Sequence, residues 1–238
     1  PNDTTFIADL NYILDNKVKD ISLNQDIKYF VNDKLDLQFG WEAKYLKMTY
    51  SEEFADQQTY NNDENPNINS AYLKGLYKPN PILSFDLGLR VSKSSYYSNT
   101  IFDPRIGIKY MANSDLALKF MWGKFSQFMF TINQDEELLR LVDFWQAIGK
   151  NQTPQANEHF VLGLEYWISD GNIFTMEMYY KPYSTLYDLS VVYTDITDES
   201  SFFTSGKGQN SGIELLYQFN INKINGWVGY SYSFVNRE

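Results

Sequence analysis

A period of two in the apolar residues limits this chain more than any other feature. Phe160, Leu162, Leu164 and Tyr166 share one side of a segment whose other side carries Gly163 and Glu165. Beyond the turn Ser169–Asn172, Phe174, Met176, Met178 and Tyr180 share a side opposite Thr175, Glu177 and Tyr179. Alternation on both flanks of a four-residue turn reads as a β-hairpin. The same alternation runs through Ile21–Tyr29, Leu35–Tyr45, Leu83–Val91, Ile106–Tyr110, Leu116–Trp122, Ile213–Ile221 and Val228–Phe234. Weaker strands are expected over 3–13 and 70–78, for about 11 strands in all.

The connections have their own order. Short turns fall at 31–34, 78–81, 112–115, 169–172 and 222–225, and longer connections at 48–69, 95–101, 129–157 and 183–209. Short and long ends alternate, so a meandering antiparallel sheet carries every tight turn at one edge and every long loop at the other. Transmembrane β-barrels have this asymmetry, with short periplasmic turns and long extracellular loops. No apolar run approaches the ~18 residues of a spanning helix, but a barrel strand crosses with only ~10 alternating residues.

Composition narrows the partners. Aromatic residues make up 17% of the chain, with 19 Tyr and 17 Phe, enough for two interfacial girdles. One is expected at the short-turn ends (Tyr29, Phe30, Tyr77, Tyr110, Trp167, Phe174, Phe219, Trp227). The other is expected at the far ends (Tyr45, Phe102, Phe128, Phe160, Tyr180, Phe234). A net charge of -10 argues against nucleic acid, which needs clustered Lys and Arg. The absence of Cys rules out disulfides and thiolate metal sites. A soluble sandwich also alternates, with its apolar face on a second sheet, but its strands run ~5–6 residues. Here 34–47 and 82–94 are about twice that, and the polar phase holds Gly40, Gly88, Gly107, Gly123, Gly163, Gly212 and Gly229 among charges. Small residues beside ions suit a barrel interior, with Glu42, Lys44, Arg90, Arg105, Lys109, Lys119, Glu165, Glu177 and Glu214 paired along the wall. "PNDTTFIADL" has no basic and apolar leader pattern, so the chain reads as a mature start or an internal piece.

Segment 134–149, "QDEELLRLVDFWQAIG", predicts one short helix in a long loop. Asn133 and Glu136 have capping-box spacing, and Asp135 to Glu137 suit the N-terminal dipole. Leu138, Leu141, Val142, Trp145 and Ile148 form an apolar stripe ending at Gly149. "NNDENPN" and "DITDES" are acidic without the ordered spacing of a calcium loop, so no metal site is expected. His159 shares the phase of Gly163 and Glu165; a hydrolase would need a serine and an oriented base beside it, and nothing marks one. No catalytic residue and no cofactor is expected.

Several segments also resemble a family, the TonB-dependent outer-membrane receptors. "FDPRIGIKYMANSDLALKFMWGKFSQ" (102–127) is similar to a mid-barrel hairpin of those proteins, and "ANEHFVLGLEYWISDGNIFTMEMYYKPYSTL" (156–186) to the next. "GKGQNSGIELLYQFNINKINGWVGYSYSFV" (206–235) resembles the one after, with "LQFGWEAKY" and "DLGLRV" upstream. The resemblance implies an all-β, antiparallel up-and-down transmembrane barrel in the outer membrane, surrounded by lipid. Residues 1–238 would form part of a single barrel domain of about 22 strands around a plugged lumen. It further implies uptake of a scarce solute (a siderophore, a cofactor or an oligomeric nutrient) bound by long extracellular loops. Transport would be driven by the TonB system through a plug domain, with a surface lipoprotein as a further partner. By position, Tyr96, Tyr97, Asp135, Glu136, Trp145, Tyr183 and Tyr187 are the loop residues expected to meet that solute. Neither a plug nor a TonB-engaging motif is visible, and "SFVNRE" lacks the terminal aromatic of such barrels. The chain therefore reads as a middle-to-late portion of a barrel, closed by further sequence or a partner. A passive porin or a structural or adhesive barrel stays open as an alternative, a lumen-constricting loop together with the lack of a plug favouring the porin. So does a soluble carbohydrate-binding sandwich.

Overall fold

The computed structural model describes residues 12–54, 57–132, 144–148, 152–189 and 203–238. They form β1 (Tyr12–Asn32), β2 (Leu35–Phe54), β3 (Gln57–Glu64), β4 (Asn67–Asn80), β5 (Leu83–Ser94), β6 (Ile101–Met111), β7 (Leu116–Gln127), β8 (Met129–Ile132), β9 (Phe144–Ala147), β10 (Gln155–Ser169), β11 (Asn172–Leu189), β12 (Phe203–Ile221) and β13 (Ile224–Arg237). Ten of them make one antiparallel meander in the order β1-β2-β4-β5-β6-β7-β10-β11-β12-β13, and β3 adds to the far end of β2, giving an 11-stranded sheet. β8 and β9 form a separate two-stranded hairpin.

The tight turns follow from local chemistry. Asn80 Oδ1 accepts from the backbone N–H groups of Ile82 and Leu83, both at 2.9 Å. Asn32 and Asn113 do the same for Lys34 and Asp115, at 2.9 and 2.8 Å. These are Asx turns, in which a short amide side chain replaces a backbone acceptor. Gly171 takes φ +78°, a left-handed conformation a side chain disfavours, and Asn222 takes 56°.

Register then sorts the side chains. Phe160 faces Tyr180, Leu162 faces Met178, Leu164 faces Met176 and Tyr166 faces Phe174, while Gly163 faces Glu177. Apolar residues of one phase form continuous rows across the wall, such as Phe39–Leu73–Leu89–Pro104. This phase stays exposed, Leu73 at 56%, Leu162 at 54% and Met178 at 45%. A contiguous apolar band of this extent is untenable in water and is the surface that lipid covers. Among the described residues no second sheet packs face to face on this wall, which removes the sandwich alternative.

The opposite phase is concave. β9 touches β1 and β2 while β8 touches β11, strands six places apart in the sheet from β2. Along a flat sheet six places span about 29 Å, too far for one short hairpin to bridge, so the wall curls around it. The buried core sits where hairpin meets wall, from Leu46, Met48, Ile68, Phe128 and Ala147, with Ile101 and Met129 against it.

Several expectations need correcting. β1 and β2 run 21 and 20 residues, so much of the expected 48–69 loop is strand: β2 continues to Phe54 and β3 folds back on it. The expected strand over 3–13 overlaps the described residues only at Tyr12 and Ile13, which begin β1. Phe144–Ala147, expected to end the loop helix, is a strand paired with Met129–Ile132; the rest of the expected helix lies outside the described residues. Phe128 is buried in the hairpin core rather than placed in the outer girdle. Trp167 and Trp227 share the inner phase, Trp167 lying under Lys109 at 5.2 Å.

Candidate functional site

The inner face of the wall is built from paired charges. Glu165 on β10 accepts from Lys109 on β6 at 3.0 Å and from Lys119 on β7. Lys74 meets Asp86 at 2.9 Å, Arg90 meets Glu42 at 2.5 Å, and Lys44 reaches Asp20 at 3.3 Å. The expected wall pairing thus holds for Glu42, Lys44, Arg90, Lys109, Lys119 and Glu165. Arg105 lies over the Phe125 ring at 4.6 Å, and Phe125 in turn packs 4.5 Å from the His159 ring. His159 is therefore a stacked wall residue rather than one half of a base–nucleophile pair. Arg105, Phe125 and His159, with Gln38 and Tyr72, line a cleft of about 490 Å3 on the inner face.

The loop-side mouth is crossed by the β8–β9 hairpin. On one side the Asn16 side chain bonds the Trp145 backbone twice, donating to its carbonyl at 3.2 Å and accepting from its N–H at 3.4 Å. On the other, Phe130 packs 5.4 Å from the Tyr187 ring, whose hydroxyl donates to the Thr153 carbonyl at 2.8 Å. Burial pushes the Tyr187 phenol above its ordinary value. The Ile148 N–H closes the hairpin base on the Phe128 carbonyl at 2.9 Å.

The expected loop residues have separate fates. Tyr187 is buried and holds the hairpin, so its ring is engaged from within the protein. Trp145 is 38% exposed on β9. Tyr96 and Tyr97 lie in the turn between β5 and β6, half-buried; the Tyr96 hydroxyl accepts from the Asn65 N–H at 2.7 Å, and burial raises its phenol as well. Tyr97 lies within electrostatic range of Tyr187, so this turn and the hairpin anchor share one region of the mouth. Tyr183 stands at a register shift in β11 opposite Asn157. Asp135 and Glu136 lie outside the described residues, as does "DITDES". "NNDE" is part of β3, where Asp63 accepts from Thr49 at 2.6 Å.

Two residues escaped the sequence reading. Asn157 Oδ1 and Asn210 Oδ1 are buried without a hydrogen-bond donor, on the inner phase of β10 opposite Tyr183 and of β12 opposite Lys181. Two asparagines on strands distant in sequence carry no local signal; only register places both on the inner phase beside β11.

Comparison with known proteins places these features. A family model described as "TonB dependent receptor-like, beta-barrel" matches residues 2–238. Comparison with curated protein sequences finds no match. Among solved structures the fold is similar to the siderophore receptor PirA from Pseudomonas aeruginosa, with TM-score 0.67 and 11% identity over 93% of this chain and 44% of that one. It is also similar to the alcaligin outer-membrane receptor FauA from Bordetella pertussis, with TM-score 0.61 and 16% identity over 96% of this chain and 40% of that one. The RagAB peptide importer gives TM-score 0.57 and 13% identity over 95% of this chain and 30% of that one. The chain thus spans less than half the length of these proteins.

Proposed function

The chain belongs to the TonB-dependent receptor-like β-barrel family, and from that premise we propose that it is wall and mouth of an outer-membrane importer for a scarce solute. The family is one of outer-membrane transporters and receptors rather than enzymes, and the wall lies in the Gram-negative outer membrane. The observation that carries the proposal is the β8–β9 hairpin braced across the mouth, with Trp145 on it and Tyr97 within electrostatic range of its anchor Tyr187. Amphipathic rings at a narrowed entrance capture solute by contact area and hydrogen bonds. Asn157 Oδ1 and Asn210 Oδ1 support the same reading, because a buried acceptor left unpaired costs about 1–3 kcal/mol until a donor arrives.

PirA is a siderophore receptor, FauA an alcaligin receptor and RagAB a peptide importer; the solute proposed for this protein is a siderophore, a cofactor or an oligomeric nutrient. Energy for release would come from TonB acting on a plug within the lumen, and a surface lipoprotein would complete the mouth. The inward hairpin is also the element by which a porin narrows its channel, so the test must separate the two. Binding of ferric chelates, corrinoids, oligosaccharides and short peptides to the intact protein is measured, with uptake followed in cells. One class should saturate, lose affinity about tenfold or more in the Tyr97→Ala/Tyr183→Ala variant, and enter only with a working TonB system. Non-saturating flux of many solutes through liposomes carrying the protein, independent of TonB, would overturn the importer in favour of the porin.

A further inference from the structure

Two inner cations stand outside the pairing that covers their neighbours. Lys44, Lys74, Arg90, Lys109 and Lys119 each have a carboxylate within ion-pair distance. Among the described residues, Arg105 on β6 and Lys181 on β11 have none. Each lies over a ring instead, Arg105 at 4.6 Å from the Phe125 centroid and Lys181 at 4.4 Å from that of Tyr179. Register brings both to one rung of the wall. Gly88 faces Arg105, Arg105 faces Gly123, and Gly123 faces His159. Phe160 faces Tyr180, which sets Lys181 beside His159 and within electrostatic range of it. Strands three places apart are about 14 Å apart along a flat sheet, a span that two long side chains close on a concave face.

The carboxylates around this rung are engaged elsewhere. Asp86, which lines the inner cleft, is held by Lys74 at 2.9 Å, and Glu42 is held by Arg90. Asp103, on the same phase as Arg105, is buried, faces Arg90 and accepts from the Ser126 hydroxyl at 2.8 Å. Glu158 belongs to the outward phase and accepts from Trp122 Nε1 at 3.0 Å. Glu177 faces Glu214 two rungs nearer the tight turns. The next rung turnward is apolar: Met121 faces Val161, and Val161 faces Tyr179. Met121 is 46% exposed on the inner phase, where lipid does not reach it. At Gly88, beside Arg105, an added carbon would find its nearest neighbour 3.7 Å away, so the floor there is open. Asn210 faces Lys181 and Asn157 lies two residues before His159, each with a buried Oδ1 that lacks a donor.

We propose that the inner cleft binds an amphipathic anion, its carboxylate or phosphate between Arg105 and Lys181 and its apolar body on Met121 and Val161. This rests on the importer reading and names the class of solute. A guanidinium stacked on a ring keeps its N–H edge free for a planar or tetrahedral anion, and a second cation on the same rung adds to the attraction. Two like charges at one level repel until an anion enters between them. The exposed Met121 side chain gives up its water only to an apolar group. The two bare asparagine oxygens accept from N–H or O–H groups next to the charge.

The test is equilibrium dialysis with the intact protein in nonionic detergent. Phenyl glucuronide and phenyl glucoside 6-phosphate are measured against phenyl glucoside, and N-acetyl-Gly-Phe against its amide, so that a sugar acid, a phosphate and a peptide carboxylate are told apart. At least one charged member should bind saturably and about tenfold or more tighter than its uncharged counterpart. M121S should weaken that probe several-fold. R105Q/K181Q should abolish the preference, R105K/K181R should keep most of it, and K34Q/K223Q, which removes two charges at the tight turns, should leave it unchanged. Should R105Q/K181Q fail to give the compact unheated band on a detergent gel, K181Q decides by a several-fold loss. Equal binding within every pair, a preference unchanged in K181Q, or equal loss in K34Q/K223Q overturns the anion site. An uncharged solute that saturates and enters cells only with a working TonB system overturns it too, and leaves the importer standing. Non-saturating, TonB-independent flux beside a charge preference that R105Q/K181Q removes overturns the importer and leaves the anion site.

Discussion

A methyl group added at Gly40 would sit 2.4 Å from Asp26 Oδ1, 2.6 Å from Tyr72 Cε1 and 2.8 Å from the Gln25 carbonyl. Asp26, Gly40 and Tyr72 are direct partners on β1, β2 and β4. Tyr72 crosses the gap at Gly40 to donate to Asp26, while Gln38 Nε2 donates back to the Tyr72 hydroxyl at 3.0 Å. An aromatic ring thus closes over a glycine whose missing side chain makes the crossing possible. Gly212 beneath the Tyr179 hydroxyl repeats the device on β12. At Gly163 an added carbon finds Lys119 Cβ at 3.4 Å and nothing nearer. The Gly40→Ala protein should therefore lose about 1–3 kcal/mol, whereas Gly163→Ala should stay within about 1 kcal/mol of wild type. Urea unfolding of the detergent-solubilised protein measures both, and equal effects at the two sites would refute the crossing. The sequence displayed these glycines as a small inner lining, correctly by phase. It hid the rings above them, because each ring belongs to another strand and the register linking the two is a tertiary fact.

The β8–β9 hairpin is the element the sequence read least well. Leu138, Leu141, Val142, Trp145 and Ile148 keep helical spacing, yet Phe144–Ala147 pairs as a strand with Met129–Ile132. Local period lost to two partners remote in sequence: Leu46, Met48 and Ile68, which offer an apolar shelf on the inner phase, and Asn16, which bonds the Trp145 backbone. By contrast the wall strands were legible, since alternation and Asn-containing turns are local signals. Leu46 is fully buried at this shelf, so Leu46→Ala should weaken hairpin docking by about 2–5 kcal/mol. Limited proteolysis should then cut within the 128–154 connection well before the wall is lost; an unchanged cleavage pattern would show that the hairpin is not held there. Tyr187 adds a pH dependence with a definite sign. Its folded phenol lies above the ordinary 10.0 because it is buried, so its contribution is whole below that pH and fades as pH rises through the folded value. Alkali should loosen the hairpin, and Tyr187→Phe, which cannot ionise, should flatten that dependence in the same proteolysis assay.

At the scale of the whole molecule, the question is which side of the curled wall is solvated. β1 and β13 each leave one edge without a partner among the described strands, and unpaired backbone is untenable against hydrocarbon. The exposed apolar phase assigns the convex face to lipid, and the hairpin β10–β11 offers the sharpest test of that assignment. Leu162 and Met178 are opposite each other on the outward phase, while Val161 and Tyr179 are opposite each other one residue away, Val161 lining the inner cleft. Arginine at Leu162 or Met178 would place a charge within the hydrocarbon band and should cost about 2–4 kcal/mol. Arginine at Val161 would enter a face that already carries Arg105, Lys74 and Asp86 and should cost less than about 1 kcal/mol. The intact protein refolded into lipid vesicles and unfolded in urea gives each value directly. Adjacent residues on one strand share depth, propensity and crossing angle, so only the face they present differs. A cost at Val161 matching that at Leu162 would mean that lipid does not distinguish the two phases, and the barrel wall would have to be abandoned.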